Sequence, residues 1–320
     1  MSASTDGNAA IRVSGLTRRF GSLTAVDGID FTVKKGEVFG FLGPNGAGKT
    51  TTVRMLTGVI DPTEGSASIQ GHDITSQPLQ SREHIAVVPE QANVYRDLSV
   101  WRNIMLMAEL YGIPRDRREK TAREILQKLG LSGRVRSRAR ELSKGLKQRL
   151  MLCAAIVTEP DILFLDEPTS GLDVQSARLI REIVKDLNRR GLTVFLTTHN
   201  MAEAGEMCSR VAIIKKGSIV AVDSPESLRS GMRRRHYVRA VFAGEALPPD
   251  DLESIAGVIR VERGDSEYRL FTESPGEVAT ALAGLATSAG LELEELQTRK
   301  PSLEDVFLYY MNRRTGEDNG

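Results

Sequence analysis

The sequence predicts an α/β fold built on a parallel sheet, followed by a small α+β domain. Three observations carry this. Between Ile11 and Ser230, short apolar runs alternate with segments of helical spacing, the pattern of parallel strands joined by helices. One of these runs enters a glycine-rich loop that opens a helix. Across residues 228–237 the chain turns arginine-rich, and the elements beyond follow a different order.

Taken in order, residues 1–10 are small and polar and read as a flexible N-terminus. Phe31–Val33 and Val38–Leu42 are apolar and read as strands. Residues 50–59 carry helical apolar spacing, and residues 84–88 read as a strand. Between 99 and 141, Ile104, Met107, Leu110, Ile125 and Leu129 recur at helical spacing, which predicts two or three helices. Residues 162–168 form a continuous apolar strand ended by two acids and a proline, and 193–199 form another. Residues 211–222 read as a hairpin turning at Lys216–Gly217. After the break come a strand from His236, a hairpin across Gly264–Asp265, a helix over Gly276–Ala289, a strand near Leu291–Leu296 and a helix from Ser302. The domains are therefore set at 11–230, with a helical subdomain at about 96–155, and at 231–312. Arg233–Arg235 are read as a linker and residues 313–320 as a flexible tail. No repeat of about 20–50 residues is visible.

Composition excludes several classes. Lys plus Arg is 43 and Asp plus Glu 42, a formal charge of +1, so no global field favours nucleic acid or an anionic membrane. Cys153 and Cys208 lack CxxC spacing, which argues against a zinc site or disulfide framework and for a reduced, cytosolic protein. They read as buried small hydrophobes. No apolar run approaches the ~18 residues of a spanning helix, and the N-terminus lacks the basic and apolar parts of a signal peptide. Neither an integral membrane nor a secreted protein is expected. His72, His84 and His236 show no clustering in sequence and are read as surface or packing histidines. Tyr309 and Tyr310 are read as packing residues, and the arginines of 133–140 as a solvated face.

The glycine loop carries the chemistry. Gly43, Pro44, Asn45, Gly46, Ala47, Gly48, Lys49, Thr50 and Thr51 match G-x-x-x-x-G-K-[ST] between a predicted strand and a predicted helix. Glycines let successive backbone N–H groups turn toward one centre and wrap phosphates. Lys49 adds a point charge, the Thr50 hydroxyl suits magnesium, and the helix start aims its positive end at the anion. ATP with Mg²⁺ is the expected ligand pair. The apolar strand 162–166 delivers Asp166 and Glu167 to its C-terminal end, where parallel sheets bind ligands. Asp166 is placed to hold magnesium and Glu167 to polarise water; a pair of loop-capping acids is the alternative.

With these residues in view, Ile11–Ser230 resembles the ATP-hydrolysing subunit of ATP-binding cassette (ABC) transporters. Leu142, Ser143, Lys144, Gly145 and Leu146 look like the start of that family's signature motif, and Ser170–Asp173 like the dimer loop that follows the acidic strand. His199 sits like the family's switch histidine, and Phe20 like the aromatic that stacks on adenine. Within the family, "LSKG", "PSLEDVF" and the C-terminal extension look most like drug-efflux ATPases of the daunorubicin-resistance type. There are departures. Glu90 stands where the family usually has a magnesium-contacting glutamine, Lys144 replaces a glycine, and Leu146 replaces a glutamine. The resemblance implies a P-loop NTPase fold of the ABC type with a helical subdomain, working as a dimer, read as a homodimer. Each ATP is then held by one subunit's phosphate loop and the other's signature. It further implies a separate membrane permease as partner, docked on the helical subdomain and the segment after Glu90. The subunit is placed at the cytoplasmic face of the membrane, with export of a drug or lipid-like compound as its work and no nucleic acid as partner. An importer ATPase and a soluble ABC ATPase are the alternatives.

Overall fold

The computed structural model describes residues 8–232, 236–243, 248–264 and 267–312. In chain order the first unit contains β1 (Ala9–Phe20), β2 (Leu23–Lys34), β3 (Val38–Leu42), α1 (Lys49–Leu56), β4 (Glu64–Ile69), β5 (His72–Asp73), α2 (Pro78–Glu83) and β6 (Ile85–Val88). It continues with α3 (Val100–Leu110), α4 (Arg115–Lys128), α5 (Lys144–Ile156), β7 (Ile162–Asp166), α6 (Val174–Arg189), β8 (Thr193–Thr198), α7 (Met201–Met207), β9 (Arg210–Lys215) and β10 (Ser218–Asp223). The second unit begins at Ser224. It holds α8 (Pro225–Ser230), β11 (His236–Ala243), α9 (Pro249–Glu253), β12 (Val258–Arg263), β13 (Glu267–Thr272), α10 (Pro275–Ser288), β14 (Glu292–Arg299) and α11 (Leu303–Asn312).

The central sheet has the order β10-β9-β3-β8-β7-β6. Strands β9, β3, β8, β7 and β6 run parallel, and β10 closes the edge antiparallel through the hairpin expected at Lys216–Gly217. Every residue of β3, β7 and β8 is buried. Strands covered on both faces read as unbroken apolar runs, which is why they were legible in sequence. Phe31, Phe39, Phe41, Phe164 and Phe195 stack through this core with ring centroids 5.3–6.0 Å apart. Helices α3, α5 and α6 start on side-chain caps. Ser99 accepts a hydrogen bond from the Arg102 N–H, Ser143 from Leu146 and Asp173 from Ser176.

A second sheet, β2-β1-β4-β5, is antiparallel and was not expected. Its long strands β1 and β2 pair with several register shifts, so buried residues do not alternate cleanly and the period-two signal is lost. Ala9 and Ala10 belong to β1, which corrects the flexible segment read over 1–10. Residues 1–7, Arg233–Arg235 and 313–320, on which a flexible end, a linker and a flexible tail were read, lie outside the described residues.

The second unit packs α10 on the sheet β12-β13-β11-β14, with Val238, Ala240, Tyr268, Leu270, Val278 and Leu282 in its core. Its boundary falls at Asp223/Ser224 and not at 230/231, because α8 packs against α11. No helix among the described residues is long and apolar enough to cross a membrane. Cys153 and Cys208 are buried, and burial pushes both thiols up. His72 and His84, read as unclustered, stack with centroids 5.6 Å apart, and His84 pairs with Asp161 at 2.5 Å.

Candidate functional site

Because β3, β7, β8 and β6 run parallel, their C-terminal ends open on one edge of the sheet. That edge gathers Gly43 after β3, Asp166 and Glu167 at the end of β7, His199 after β8 and Glu90 shortly after β6. A cavity of about 380 Å³ lies there. Pro44, Asn45, Gly46, Gly48, Lys49, Thr50 and Thr51 line it together with Phe20, Glu90, Glu167 and His199. Gly43 and Ala47 are buried beneath the loop, and the Ala47 carbonyl accepts a hydrogen bond from the Gly217 N–H at 2.9 Å. Volume alone does not mark the site. A larger cavity, about 710 Å³, lies at the opposite strand ends around Asp161 and Thr193 and contains no phosphate-loop residue.

Gly48 is the start of α1 with φ 112°, and a Cβ there would lie 2.6 Å from the Ala25 carbonyl oxygen. Only glycine fits that approach. Lys49 is buried, and its ammonium donates to the Gly43 carbonyl at 2.6 Å and the Pro44 carbonyl at 3.4 Å. It also stands 3.2 Å from Glu167 Oε1. Glu167 holds φ 49°, a left-handed conformation that costs a non-glycine residue of order 1–3 kcal/mol. Its N–H donates to the Thr197 carbonyl at 3.0 Å, which holds it there. Glu167 Oε2 accepts from His199 Nδ1 at 2.8 Å. A carboxylate only accepts, so Nδ1 carries the proton in this contact. Glu167 Oε1 is buried and accepts no hydrogen bond, although Lys49 lies beside it. An open acceptor of this kind suits an incoming water.

The residues expected to hold magnesium have the chemistry that suits it. The Thr50 hydroxyl donates to Asp166 Oδ2 at 3.2 Å, and Thr197 donates to Asp166 Oδ1. Glu90 is exposed and lines the cavity with Thr50. All are hard oxygen donors, too few for a protein cage, which matches a cation that keeps waters and takes phosphate oxygens. Asp166 itself lines an adjoining cavity that it shares with Thr50. Phe20 is 46% exposed, and Arg18 covers one face of its ring at 4.6 Å from the centroid.

The signature residues lie elsewhere. None of Leu142, Ser143, Lys144, Gly145, Leu146 or Asp173 lines the cavity. Leu142 is buried, Ser143 and Lys144 are exposed, and Leu146 is half-buried. Asp173 caps α6, and hydrogen bonds from Ser176 hold its carboxyl below the usual range. A Cβ on Gly145 would lie 2.8 Å from Ser176 Oγ, so a side chain there would press on the start of α6. Lys144 leans toward Gly171, where a Cβ would lie 2.5 Å from its Nζ. Gln148, farther along α5, donates to the Pro89 carbonyl at 3.4 Å and ties the helical subdomain to the segment bearing Glu90.

Sequence reading missed Thr197 and Ala25, which shape the site. Thr197 faces Asp166 across the β7–β8 register, a pairing visible only once the strand order is known.

Comparisons with known proteins follow the same division. A family model described as ABC transporter matches residues 26–170. One described as ATP-binding protein DrrA1-3-like, C-terminal domain, matches 224–311. The linearmycin resistance ATP-binding protein LnrL of Bacillus subtilis is 33% identical, covering 95% of this chain and 98% of that protein. The daunorubicin resistance ATP-binding protein DrrA3 of Streptomyces coeruleorubidus is 34% identical, covering 97% and 96%. Among solved structures, an ATP-binding subunit of an ABC transporter matches with TM-score 0.66 and 28% identity, covering 70% of this chain and 93% of that one. A dimeric ATP-binding cassette bound to ADP and phosphate in a post-hydrolysis state matches with TM-score 0.61 and 25% identity, covering 67% and 98%.

Proposed function

This chain belongs to the ATP-binding, ATP-hydrolysing subunits of ABC transporters, and from that premise we propose that it powers export by closing and reopening a head-to-tail homodimer beneath a membrane permease. The observation that carries the reading is the split of the site. Phosphate loop, acidic strand end and His199 line one cavity, while Ser143 and Lys144 stand exposed outside it. An exposed helix start with unpaired N–H groups suits the phosphate of a second copy's ATP. Relatives named for drug resistance support export as the direction, and a drug or lipid-like compound as the cargo class.

In this reading the chain's residues act in order. The phosphate loop receives the triphosphate, and Lys49 exchanges the Gly43 and Pro44 carbonyls for phosphate oxygens. Glu167 loses its lysine neighbour and keeps His199, so its open oxygen orients a water. Thr50, Asp166 and Glu90 would hold magnesium, which neutralises phosphate charge when bound.

Lys144→Glu tests the second-copy reading better than a change at Gly145, which would strike Ser176 first. An acid in the first turn of a helix is mildly favourable, so the fold is preserved. Monomer MgATP affinity is expected to stay within about twofold, while kcat falls at least about tenfold. ATP-driven doubling of mass in light scattering should disappear. A large loss of monomer affinity would place the signature in its own subunit's site.

The permease surface is proposed at a cavity of about 380 Å³ between the β6 end and the helical subdomain, lined by Tyr95, Met107, Tyr111 and Met151. Tyr95 is 52% exposed. Tyr95→Glu is expected to leave soluble ATPase activity intact and to abolish co-purification with the co-expressed permease. Unchanged co-purification would move the docking surface elsewhere.

A further inference from the structure

Glu203 lies in the first turn of α7, is 1% exposed, and belongs to none of the motifs above. Its two oxygens bind in different directions. Oε1 accepts from the Thr169 hydroxyl at 2.8 Å, and Oε2 from the Thr198 hydroxyl at 2.8 Å. Thr169 is two residues beyond Glu167, and Thr198 immediately precedes His199. The links continue through the backbone. Thr198 Oγ1 accepts from the Asn200 N–H at 3.0 Å, and Asn200 Oδ1 accepts from the Glu203 N–H at 3.1 Å. On the other side, the Ser170 N–H donates to the Glu167 carbonyl at 3.1 Å.

Stability does not explain this carboxyl. Arg181, the cation that acts on it, makes its ion pair with Glu206 instead. Burial and the nearby charge of Glu167 push the Glu203 carboxyl up, so its charged form is costly where it sits. Replacing a buried polar pair by apolar groups of the same shape is often neutral or stabilising. What the arrangement does supply is a fixed spacing between two segments. Successive residues of β8 point to opposite faces. Thr197 thus holds Asp166 on one side, while Thr198 is held by Glu203 on the other.

We propose that Glu203 is a positioning residue for hydrolysis: it clamps the segment after Glu167 to the segment before His199. The 2.8 Å contact between those two groups then survives when Lys49 turns from Glu167 to a phosphate. Glu203 itself touches neither nucleotide nor water. The proposal rests on the roles given above to Glu167 and His199.

The test uses the full chain, with ATP turnover and MgATP dissociation constants measured side by side. Glu203→Ala is expected to lower kcat about 10–100-fold, because small misplacements of reacting groups cost on that scale. MgATP affinity should stay within about twofold, a split that a general loss of structure would not produce. Glu203→Gln should restore most of kcat, since one amide oxygen and one N–H still reach the two threonine hydroxyls. Wild-type kcat in Glu203→Ala overturns the proposal. So does a loss of affinity in proportion to kcat. If Glu203→Ala does not fold, Thr169 decides, being only half-buried. Thr169→Val should be slow and Thr169→Ser normal, and equal rates in the two overturn the clamp. Failure of the underlying reading looks different: there Glu167→Gln itself would turn over at the wild-type rate.

Discussion

Replacing Glu167 by glutamine is expected to slow ATP hydrolysis about 10²–10⁴-fold, the range lost when a positioned acid–base group is removed. MgATP binding should persist or tighten. The carboxylate stands beside Lys49 at the phosphate loop, so neutralising it removes a negative charge from the neighbourhood of the triphosphate. The amide keeps an oxygen for the His199 contact, now 2.8 Å from Nδ1, and geometry is therefore preserved while basicity is lost. With hydrolysis stalled, the ATP-bound form should accumulate as a closed dimer, visible as a doubled mass in light scattering. Turnover near the wild-type rate would mean that another group polarises the water.

Lys49→Ala has the next largest expected effect, on binding. Each charge-assisted hydrogen bond to a phosphate contributes about 1.5–3 kcal/mol, so loss of two weakens MgATP affinity by about 100-fold or more. A second consequence comes from the tertiary structure. Lys49 and Glu167 are both buried and stand 3.2 Å apart, so alanine strands a carboxylate without its cation. Breaking a buried pair costs about 3–5 kcal/mol in general. The nucleotide-free variant should therefore melt at a lower temperature than the wild type, a cost that the phosphate-loop motif does not disclose. Lys49→Ala/Glu167→Gln should recover much of the melting temperature and none of the affinity. Calorimetric unfolding and titration with MgATP separate the two quantities. Unaltered affinity in Lys49→Ala would remove the loop from the binding site.

The two variants also show which parts of the site could be read directly. Gly43–Thr51 was legible because a phosphate cradle is local: consecutive backbone N–H groups and one lysine do the work, and their spacing is written in one stretch. Asp166 and Glu167 were legible because a strand buried on both faces is an uninterrupted apolar run, and its end is marked by the first charges. Thr197 and Glu203 carry no such mark. Each is an ordinary polar residue whose role depends on a partner about 30 residues away, Asp166 for Thr197 and Thr169 for Glu203. Of the sheet formed by β2, β1, β4 and β5 only Phe31–Val33 was read as strand, for a related reason: bulges in β1 and β2 scramble the alternation that identifies a half-buried strand.

Sequence by itself determined the fold class, the central strands, the phosphate loop and the acidic strand end. Each of these follows from a period or a contiguous motif, and so from interactions between residues close along the chain. Tertiary structure decided the rest: that Lys49 is paired with Glu167, that Gly145 lies close against Ser176, and that Glu203 joins the two segments bearing Glu167 and His199. The physical reason is the parallel sheet. Its crossovers bring distant strand ends to one edge, and which side chains meet there depends on strand order and register, quantities that no local pattern encodes.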